Sequence, residues 1–209
     1  MKKISFLLLA FTLSIVACKN EKKDTKTTET EATEKTAQFV VKPEATSVKW
    51  TAYKTTEKKG VGGEFTVLNF DEKSGATPQE ALNNLTFSIP ISSVFTNDAT
   101  NTRDAKIKES FFGAMLDTEF IKGTIKVENN KYIAALTMNG STNNLPLDVK
   151  ITDERRVTLS GVMNLKDWNA LDALASLNKV CFDLHKGPDG VSKTWEDVAI
   201  EVSTYLREN

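Results

Sequence analysis

Histidine and cysteine are almost absent from this chain. Its 209 residues include one histidine and two cysteines. A structural zinc site of the usual kind takes four Cys or His ligands, and three such residues are too few to form one. A histidine-based catalytic triad has a single candidate centre, and no Gly-x-Ser-x-Gly turn supplies its nucleophile. The commonest zinc and serine-hydrolase sites are therefore excluded.

An excess of charge of one sign is also missing. The chain has 27 basic and 28 acidic residues, which gives a formal net charge of −1. Nucleic-acid binding needs a dense basic surface, so this class is disfavoured. With 40% hydrophobic and 26% charged residues, the composition excludes collagen-like, coiled-coil and disulfide-stapled proteins. The length indicates one domain, or two small ones, with a substantial core.

Long hydrophobic runs are confined to the first residues. Two lysines precede an apolar stretch over 4–17, which is shorter than the roughly 20 residues of a membrane-spanning helix. The stretch ends in Ala17-Cys18 and resembles the signal peptide of bacterial lipoproteins, whose cysteine carries fatty acyl chains such as palmitate. The resemblance implies that residues 1–17 are removed and that Cys18 is lipidated. An ordinary signal peptide that happens to end near a cysteine is the alternative.

A charged segment follows Cys18. Residues 19–36 contain six Thr, five Lys and five acidic residues, and only Ala32 is weakly apolar. Such a segment buries too little surface to offset its ordering entropy, so we expect residues 18–37 to form a disordered tether. A random coil of this length spans roughly 20–25 Å. The lipoprotein resemblance implies a location in the bacterial cell envelope, on the outer membrane facing the periplasm, with cell-surface exposure as an alternative.

Period-two alternation dominates the remaining residues, 38–209, which we assign to one domain. Apolar and polar side chains alternate over 48–53, 85–91, 145–151 and 198–203. One apolar face per strand is typical of antiparallel sheets. Further strands are expected over 38–43, 61–70, 119–127, 131–138 and 157–165. Turns are expected at Asn129-Asn130, Asn139-Gly140, Asn143-Asn144 and Asp153-Glu154.

About nine strands must each cover one apolar face. A sandwich or a closed barrel achieves this, and closure also removes exposed strand edges. A barrel of eight strands has an interior that can hold a small ligand. We predict an all-β fold, a lipocalin-like antiparallel β-barrel of about eight strands with two short helical inserts.

The two inserts have helical spacing. Residues 101–104 resemble an N-cap with an acid in the first turn, and an apolar face follows. Leucines and Cys181 recur every three or four residues and predict an amphipathic helix over 169–185. We expect Cys181 to be a small core residue without a disulfide partner, and His185 to cap the helix C-terminus. Two such residues do not complete a metal site.

No active site is evident in the sequence. The glycines of 60–63 are not followed by the Lys-Ser/Thr of a phosphate loop, so we expect a turn or a bulge there. The acidic residues at 71–72 and 153–154 fall in predicted turns and form no assignable glycosidase pair. We therefore expect no enzyme activity, no metal and no cofactor.

Large apolar side chains recur on the predicted inward faces. The set comprises Trp50, Phe65, Phe87, Ile89, Phe111, Phe112, Ile121, Leu136, Leu147 and Met163. Such residues either fill a packed core or line a tunnel. Periodicity does not distinguish the two arrangements, because both need apolar side chains on the inward faces.

Several segments, in this order, resemble the YceI-like family of lipocalin-like, lipid-binding periplasmic domains. They are Ser47–Lys54, Gly60–Phe65, Phe87–Val94, Asn101–Asp104 and Phe111-Phe112. The resemblance covers about 38–206 and implies an eight-stranded barrel that holds an isoprenoid chain, such as a polyprenyl or quinone tail. Residues 167–189 form an insert relative to shorter members, and this insert is expected to cap the barrel or to occupy part of its mouth.

The resemblance also implies roles for individual residues. By position, Trp50, Phe65, Phe87 and Phe111 would line the ligand tunnel, and we predict the same role for all ten apolar residues. Lys54 and Arg103 would lie near the polar end of the ligand or at the mouth of the barrel. The expected function is a membrane-anchored protein that sequesters or carries a long-chain isoprenoid or similar apolar lipid. A structural or interaction lipoprotein with a solidly packed barrel and no ligand is the alternative. Whether the protein forms a homodimer is left open by the sequence.

Overall fold

The computed structural model describes residues 38–208 of the chain. The expected signal peptide, Cys18 and the expected tether lie outside the described residues. No helix within 38–208 is both long enough and apolar enough to cross a membrane.

Two antiparallel sheets form the framework of the described residues. Their strands are β1 Phe39–Val40, β2 Thr46–Lys54, β3 Lys59–Phe65, β4 Asn69–Phe70, β5 Ser74–Gly75, β6 Leu85–Pro90, β7 Val94–Phe95, β8 Phe120–Glu128, β9 Lys131–Met138, β10 Ser141–Thr152, β11 Arg156–Asn164 and β12 Thr194–Tyr205. β1 pairs with β5, and the other ten strands form one sheet in the order β4-β6-β8-β9-β10-β11-β12-β2-β3-β7.

The large sheet curls until its two edges meet. β4 continues β3 after three residues, and β7 continues β6 after the 3₁₀ turn Ile91–Ser93. β3 pairs with β7 while β4 pairs with β6, and Thr66 N donates to Ser93 O at 3.0 Å between these two pairs. The ten segments thus correspond to eight barrel strands, which confirms the predicted lipocalin-like architecture.

Asparagine-rich turns connect neighbouring strands. Asn129 and Asn130 have φ angles of 51° and 60°, and Asn139 and Gly140 have φ angles of 50° and 70°. Left-handed backbone at both central residues matches the twist of a two-residue hairpin, and Asn and Gly adopt it readily. The predicted turn at Asn143-Asn144 is wrong, because the chain has already reversed at 139–140 and these residues pair within β10.

Other predicted boundaries are corrected as well. The strand expected over 38–43 is limited to β1, because the 3₁₀ turn Pro43–Ala45 follows it, and the strand expected over 61–70 is divided into β3 and β4. The glycines of 60–63 form neither a turn nor a bulge. They lie inside β3, where a Cβ at Gly63 would collide with the Trp50 ring. The glycine therefore provides space for an aromatic side chain on the neighbouring strand.

Three α-helices interrupt the strands: α1 Pro78–Leu82, α2 Arg103–Lys106 and α3 Leu171–Val180. α1 was not expected, although its sequence carries a capping signal. The Thr77 side chain accepts a hydrogen bond from Glu80 N, and Glu80 Oε2 accepts one from Ala76 N. These contacts satisfy amides at the start of the helix.

The predicted ends of the two inserts also change. At α2, the Thr102 side chain makes no cap, and the Asp98 carboxylate accepts from Thr102 N and Arg103 N instead. α2 continues as a π-helical turn over Ile107–Phe111 and a 3₁₀ turn over Phe112–Ala114. α3 is shorter than the predicted 169–185. Asn169 has a left-handed φ of 54° before it, and a separate 3₁₀ turn covers Asp183–His185.

Part of the barrel interior is densely packed. Its fully buried side chains include Leu82, Val157, Leu159 and Leu206. Buried Trp168 belongs to the 3₁₀ turn Leu165–Trp168, and its Nε1 donates to Leu136 O at 2.8 Å. This contact fixes the start of the helical insert against β9.

Candidate functional site

An apolar cavity of about 580 Å³ lies between the barrel and its helical inserts. Its walls come from β2, β3 and β12, from the ends of β8, β9 and β11, and from residues within 98–112 and 174–185. A concave, mostly apolar space of this size is typical of small-molecule sites. A larger groove of about 1040 Å³ has a mixed lining, in which exposed charged residues such as Lys49, Asp148 and Glu201 stand among apolar ones. The smaller cavity has the more apolar lining, so it is the better candidate for an apolar ligand.

The ten apolar residues singled out in the sequence do not all lie together. Six of them line the cavity: Trp50, Phe65, Phe111, Phe112, Ile121 and Met163. The other four belong to the packed core and are not in the cavity wall: Phe87, Ile89, Leu136 and Leu147. The barrel is therefore packed in one part and hollow in another, so neither a tunnel along the whole barrel nor a solid core describes it.

Phe87 shows why alternation alone does not identify the wall. Its ring packs over Gly123 of the neighbouring strand β8, where a Cβ would stand 2.5 Å from Phe87 Cζ. The Phe87 side chain lies on the inward face of its strand, as a wall residue does, but its ring fills the space over a glycine. Only the tertiary packing separates these two cases.

The helical insert supplies residues that the sequence interpretation did not assign to the site. Leu174 and Leu177 of α3 line the cavity, and so do Cys181 and Leu184. The apolar spacing predicted the amphipathic helix, but it did not show which surface the helix covers. The insert forms part of the cavity wall at the helical end of the barrel. Cys181 is buried, as expected, and it forms no disulfide with any described residue. Burial raises the pKa of its thiol.

His185 lies in the cavity wall and is held by two polar neighbours. Its Nδ1 lies 2.8 Å from Thr194 Oγ1 and 3.1 Å from Asn178 Oδ1. Thr194 Oγ1 donates its proton to the same Asn178 oxygen, so both neighbours present lone pairs to the ring. This arrangement favours the tautomer in which Nδ1 carries the proton and Nε2 is an acceptor.

The charge state of His185 corrects its expected role as a charged helix cap. Burial, together with the positive charges of Lys54 and Lys106, lowers the pKa of His185 to about 4. The ring is therefore neutral at pH 7. It contributes a neutral hydrogen-bonding group to the wall.

Cationic side chains accompany this ring at the rim of the cavity. Lys54 Nζ donates to Leu184 O at 2.8 Å, and burial, followed by the charge of Arg103, lowers the pKa of Lys54. Arg103 Nη2 lies 3.4 Å from Asp98 Oδ1. Lys106, which the sequence interpretation did not single out, also lines the cavity. Lys54 and Arg103, assigned to the polar end of a ligand by resemblance, thus lie in one wall.

Metal chemistry has no evident place among the described residues. Within 38–208, no group of three or more His, Cys, Asp or Glu side chains is arranged to hold a metal ion.

Residues 39–206 match the family model of the YceI-like domain. The chain belongs to the YceI-like family. This match spans the whole barrel together with α3 and the rest of the helical insert. No curated protein matches the chain.

Several solved structures are similar to this chain at low sequence identity. A polyisoprenoid-binding domain from Saccharophagus degradans, implicated in plant cell wall breakdown, has a TM-score of 0.60 and 12% identity, covering 83% of this chain and 99% of that one. Burkholderia cenocepacia BcnA has a TM-score of 0.49 and 14% identity over 79% and 98% of the two chains. The Campylobacter jejuni YCEI protein has a TM-score of 0.46 and 18% identity over 72% and 86%. At such identities the likeness to the first of these shows the fold.

Proposed function

We propose that this YceI-like domain binds the hydrocarbon chain of an apolar lipid in the cavity beneath its helical insert. The observation that carries the proposal is the hollow part of the barrel, walled by Trp50, Phe65 and Phe111 and by leucines of α3. Each methylene that leaves water for such an environment contributes about 0.8 kcal/mol. The Saccharophagus degradans relative is itself described as polyisoprenoid-binding, which supports an isoprenoid as the natural chain.

The volume limits how much of a lipid the cavity holds. At the ≈ 30 Å³ that a water-sized group occupies in a liquid, the ≈ 580 Å³ cavity accommodates about twenty non-hydrogen atoms. This corresponds to about four isoprene units. In our proposal a longer isoprenoid extends out of the mouth with its remaining units.

We further propose that the domain is held at a membrane of the bacterial cell envelope through a lipidated Cys18. The Ala17-Cys18 pattern and the charged residues 19–36 support this part of the proposal. In our account, a tether of roughly 20–25 Å keeps the domain beside the membrane from which an apolar ligand comes. The outer membrane, with the domain facing the periplasm, is the location that we propose.

The same residues favour binding over catalysis. The Cys181 thiol has a raised pKa because it is buried, so it stays protonated, whereas a nucleophilic cysteine needs a lowered pKa. The pKa of His185 is about 4, which makes it a weaker base than a general base whose pKa lies near the working pH. We therefore propose a carrier or scavenger of lipid.

A fluorescence titration tests this function. Trp50 and Trp195 both line the cavity, so a quinone with an isoprenoid tail is expected to quench their emission in a saturable manner. The same quinone head group without a tail is the control, and it is expected to quench weakly and without saturation. If the tailed and tailless quinones behave alike, the cavity does not hold the chain.

A further inference from the structure

Exposed apolar side chains collect on the outer side of the helical insert. Four of them, each between 50% and 58% exposed, are close in the chain: Val180, Phe182, Leu184 and Val191. The backbone reverses after the first three, and Gly187 N donates to Val191 O at 3.0 Å, so the fourth returns toward them. We call these four residues the apolar tip. A group of exposed apolar residues marks an interaction surface, whereas isolated ones need no explanation.

The apolar tip adjoins the mouth of the cavity. Leu184 is 58% exposed, yet it also lines the cavity. Leu177 and Cys181 of the same segment line the cavity, whereas Val180 and Phe182 are half exposed and do not. The insert therefore has one apolar side that walls the cavity and another that the described residues leave in contact with solvent. A hydrocarbon chain that passes from one side to the other stays on apolar surface.

Positive charge surrounds the apolar tip. The turn between β2 and β3 lies beside the insert, because Thr55 N donates to Lys193 O at 2.9 Å. Residues 54–59 and 179–193 together carry six lysines and three carboxylates, in a chain whose overall charge is −1. Lys58 also pairs with Asp197 at 2.7 Å, so an excess of positive charge remains after this pair is counted.

Two of these lysines lie over aromatic rings. Lys186 Nζ is 4.8 Å from the centroid of the Phe182 ring, and Lys193 Nζ is 3.6 Å from that of Trp195. Lysine stems that follow apolar surface while the ammonium group stays in water are typical of the boundary between hydrocarbon and water. Apolar residues flanked by lysines are likewise typical of segments that lie in a membrane interface.

We propose that the apolar tip inserts into the surface of a membrane that contains anionic lipids, with the surrounding lysines against its phosphate groups. This contact places the mouth of the cavity at the hydrocarbon boundary of the bilayer. The inference rests on the proposed function, because it supplies the route by which a lipid enters the cavity. In our account, the lipidated Cys18 keeps the domain near the membrane, and the tip sets the orientation of the domain on it.

The charge of this surface favours a membrane over a second copy of the chain. Most closed homodimers are two-fold symmetric and bring the same patch of both copies together. Such a contact would oppose two surfaces that each carry excess positive charge, and like charges across an interface cost free energy. An anionic bilayer instead attracts each lysine that comes near its surface.

The proposed anchor permits this contact. Val40 N donates to Arg207 O at 2.9 Å, so Gln38 lies near the last residues of β12, whereas Thr194 at the other end of β12 adjoins the insert. The 12 residues of β12 span about 40 Å. An extended chain from Cys18 to Gln38 reaches about 65–70 Å. This length is sufficient for the tip to reach the membrane in which Cys18 is held.

A fluorescent probe on the tip tests the contact directly. The full chain with Phe182→Cys is labelled with a nitrobenzoxadiazole dye and mixed with vesicles of three parts phosphatidylcholine and one part phosphatidylglycerol, whose acyl chains are brominated. The wild type, treated in parallel, corrects for labelling at the native cysteines. We expect the brominated chains to quench the dye about twofold or more, because an interfacial segment places its apolar side chains at the acyl boundary.

A second labelled position is the matched control. Val67 is 48% exposed and follows β3 at the end away from the β2–β3 turn, so Val67→Cys is expected to show no quenching. Equal quenching at both positions, or none at Phe182, would overturn the insertion of the tip. Vesicles without phosphatidylglycerol are expected to quench the Phe182 probe several-fold less, and unchanged quenching would overturn the role of the lysines.

The rate of lipid uptake tests what the contact does. Phe182→Ser and Val191→Ser are each expected to slow the transfer of a tailed quinone from vesicles to the protein several-fold. Neither residue lines the cavity, so the equilibrium titration with the same quinone is expected to be unchanged. Val67→Ser is the control and is expected to alter neither. Variants that take up the quinone at the wild-type rate would overturn the proposed route.

The outcomes separate this proposal from the proposed function. If the tailed quinone binds in solution while the Phe182 probe stays in water, the membrane contact is overturned and lipid binding stands. If the probe enters the bilayer but no quinone binds, the proposed function is wrong and the tip is only a membrane contact. A probe that responds to protein concentration in the absence of vesicles would show a second copy on the tip and overturn the proposal.

Discussion

Replacing Ala52 with tryptophan is expected to displace the lipid without unfolding the protein. Ala52 lies on β2 and lines the cavity. The substitution adds nine non-hydrogen atoms to a cavity that accommodates about twenty. The cavity then accommodates about nine fewer carbon atoms of a bound chain.

The energetic consequence follows from the buried methylenes. At about 0.8 kcal/mol each, nine methylenes correspond to as much as ~7 kcal/mol. Even a third of this loss, about 2 kcal/mol, weakens binding about thirtyfold. Because the new side chain enters apolar space that is not filled by protein, it avoids the cost of about 1–3 kcal/mol that overpacking brings in a filled core.

The same substitution in the packed part of the barrel is the control. Ala134 on β9 is 5% exposed and does not line the cavity. Ala134→Trp is therefore expected to destabilise the protein by at least about 1–3 kcal/mol in denaturant unfolding. Ala52→Trp is expected to unfold at the wild-type midpoint while its quinone titration weakens strongly. If Ala52→Trp destabilises as much as Ala134→Trp and binding is unchanged, the cavity is not the lipid site.

Three further predictions test the packing, the titration and the anchor. Gly123→Ala is expected to cost about 1–3 kcal/mol in urea unfolding, because a Cβ there meets the Phe87 ring. Gly62→Ala, where a Cβ makes only an ordinary contact of 3.7 Å with Trp50 O, is the control, and equal stabilities of the two variants contradict the packing. Because the pKa of His185 is about 4 in the folded protein and about 6.5 in the unfolded chain, unfolding binds a proton in this interval. Stability is therefore expected to fall by about 2 kcal/mol as the pH decreases from 6.5 to 4, and His185→Gln is expected to lose this part of the pH dependence; an unchanged profile in the variant refutes the assignment. Cys18→Ala is expected to move the protein from the membrane fraction to the soluble fraction in cell fractionation, whereas a variant that remains in the membrane contradicts the lipid anchor.

Much of the barrel was predictable because alternation reports directly on the two faces of a strand. The strand over 131–138 agrees with its prediction at both ends, and the asparagines at 129–130 supplied the expected hairpin. Asn143-Asn144 has the same composition as a turn, yet it lies inside β10 because the turn at 139–140 already reverses the chain. Local propensity does not decide between two adjacent turn signals.

The division of the barrel into a packed and a hollow part was not predictable from alternation. Phe87 and Phe65 both have the inward phase, but Phe87 packs in the core against Gly123, whereas Phe65 faces the space beneath α3. Which side chains line a cavity depends on where the helical insert docks. That position is set by tertiary contacts between α3 and the turn over 107–111. The hydrophobic pattern of the sequence does not indicate such contacts.

Lipid binding in the cavity is tested most directly by identifying the molecule that the purified protein carries. The full chain is purified from the cells that make it, extracted with organic solvent and analysed by quantitative mass spectrometry. We expect close to one lipid chain per protein in the wild type and a marked reduction in Ala52→Trp. A wild-type protein without lipid that also shows no saturable uptake of a tailed quinone or of palmitate would contradict lipid binding in the cavity.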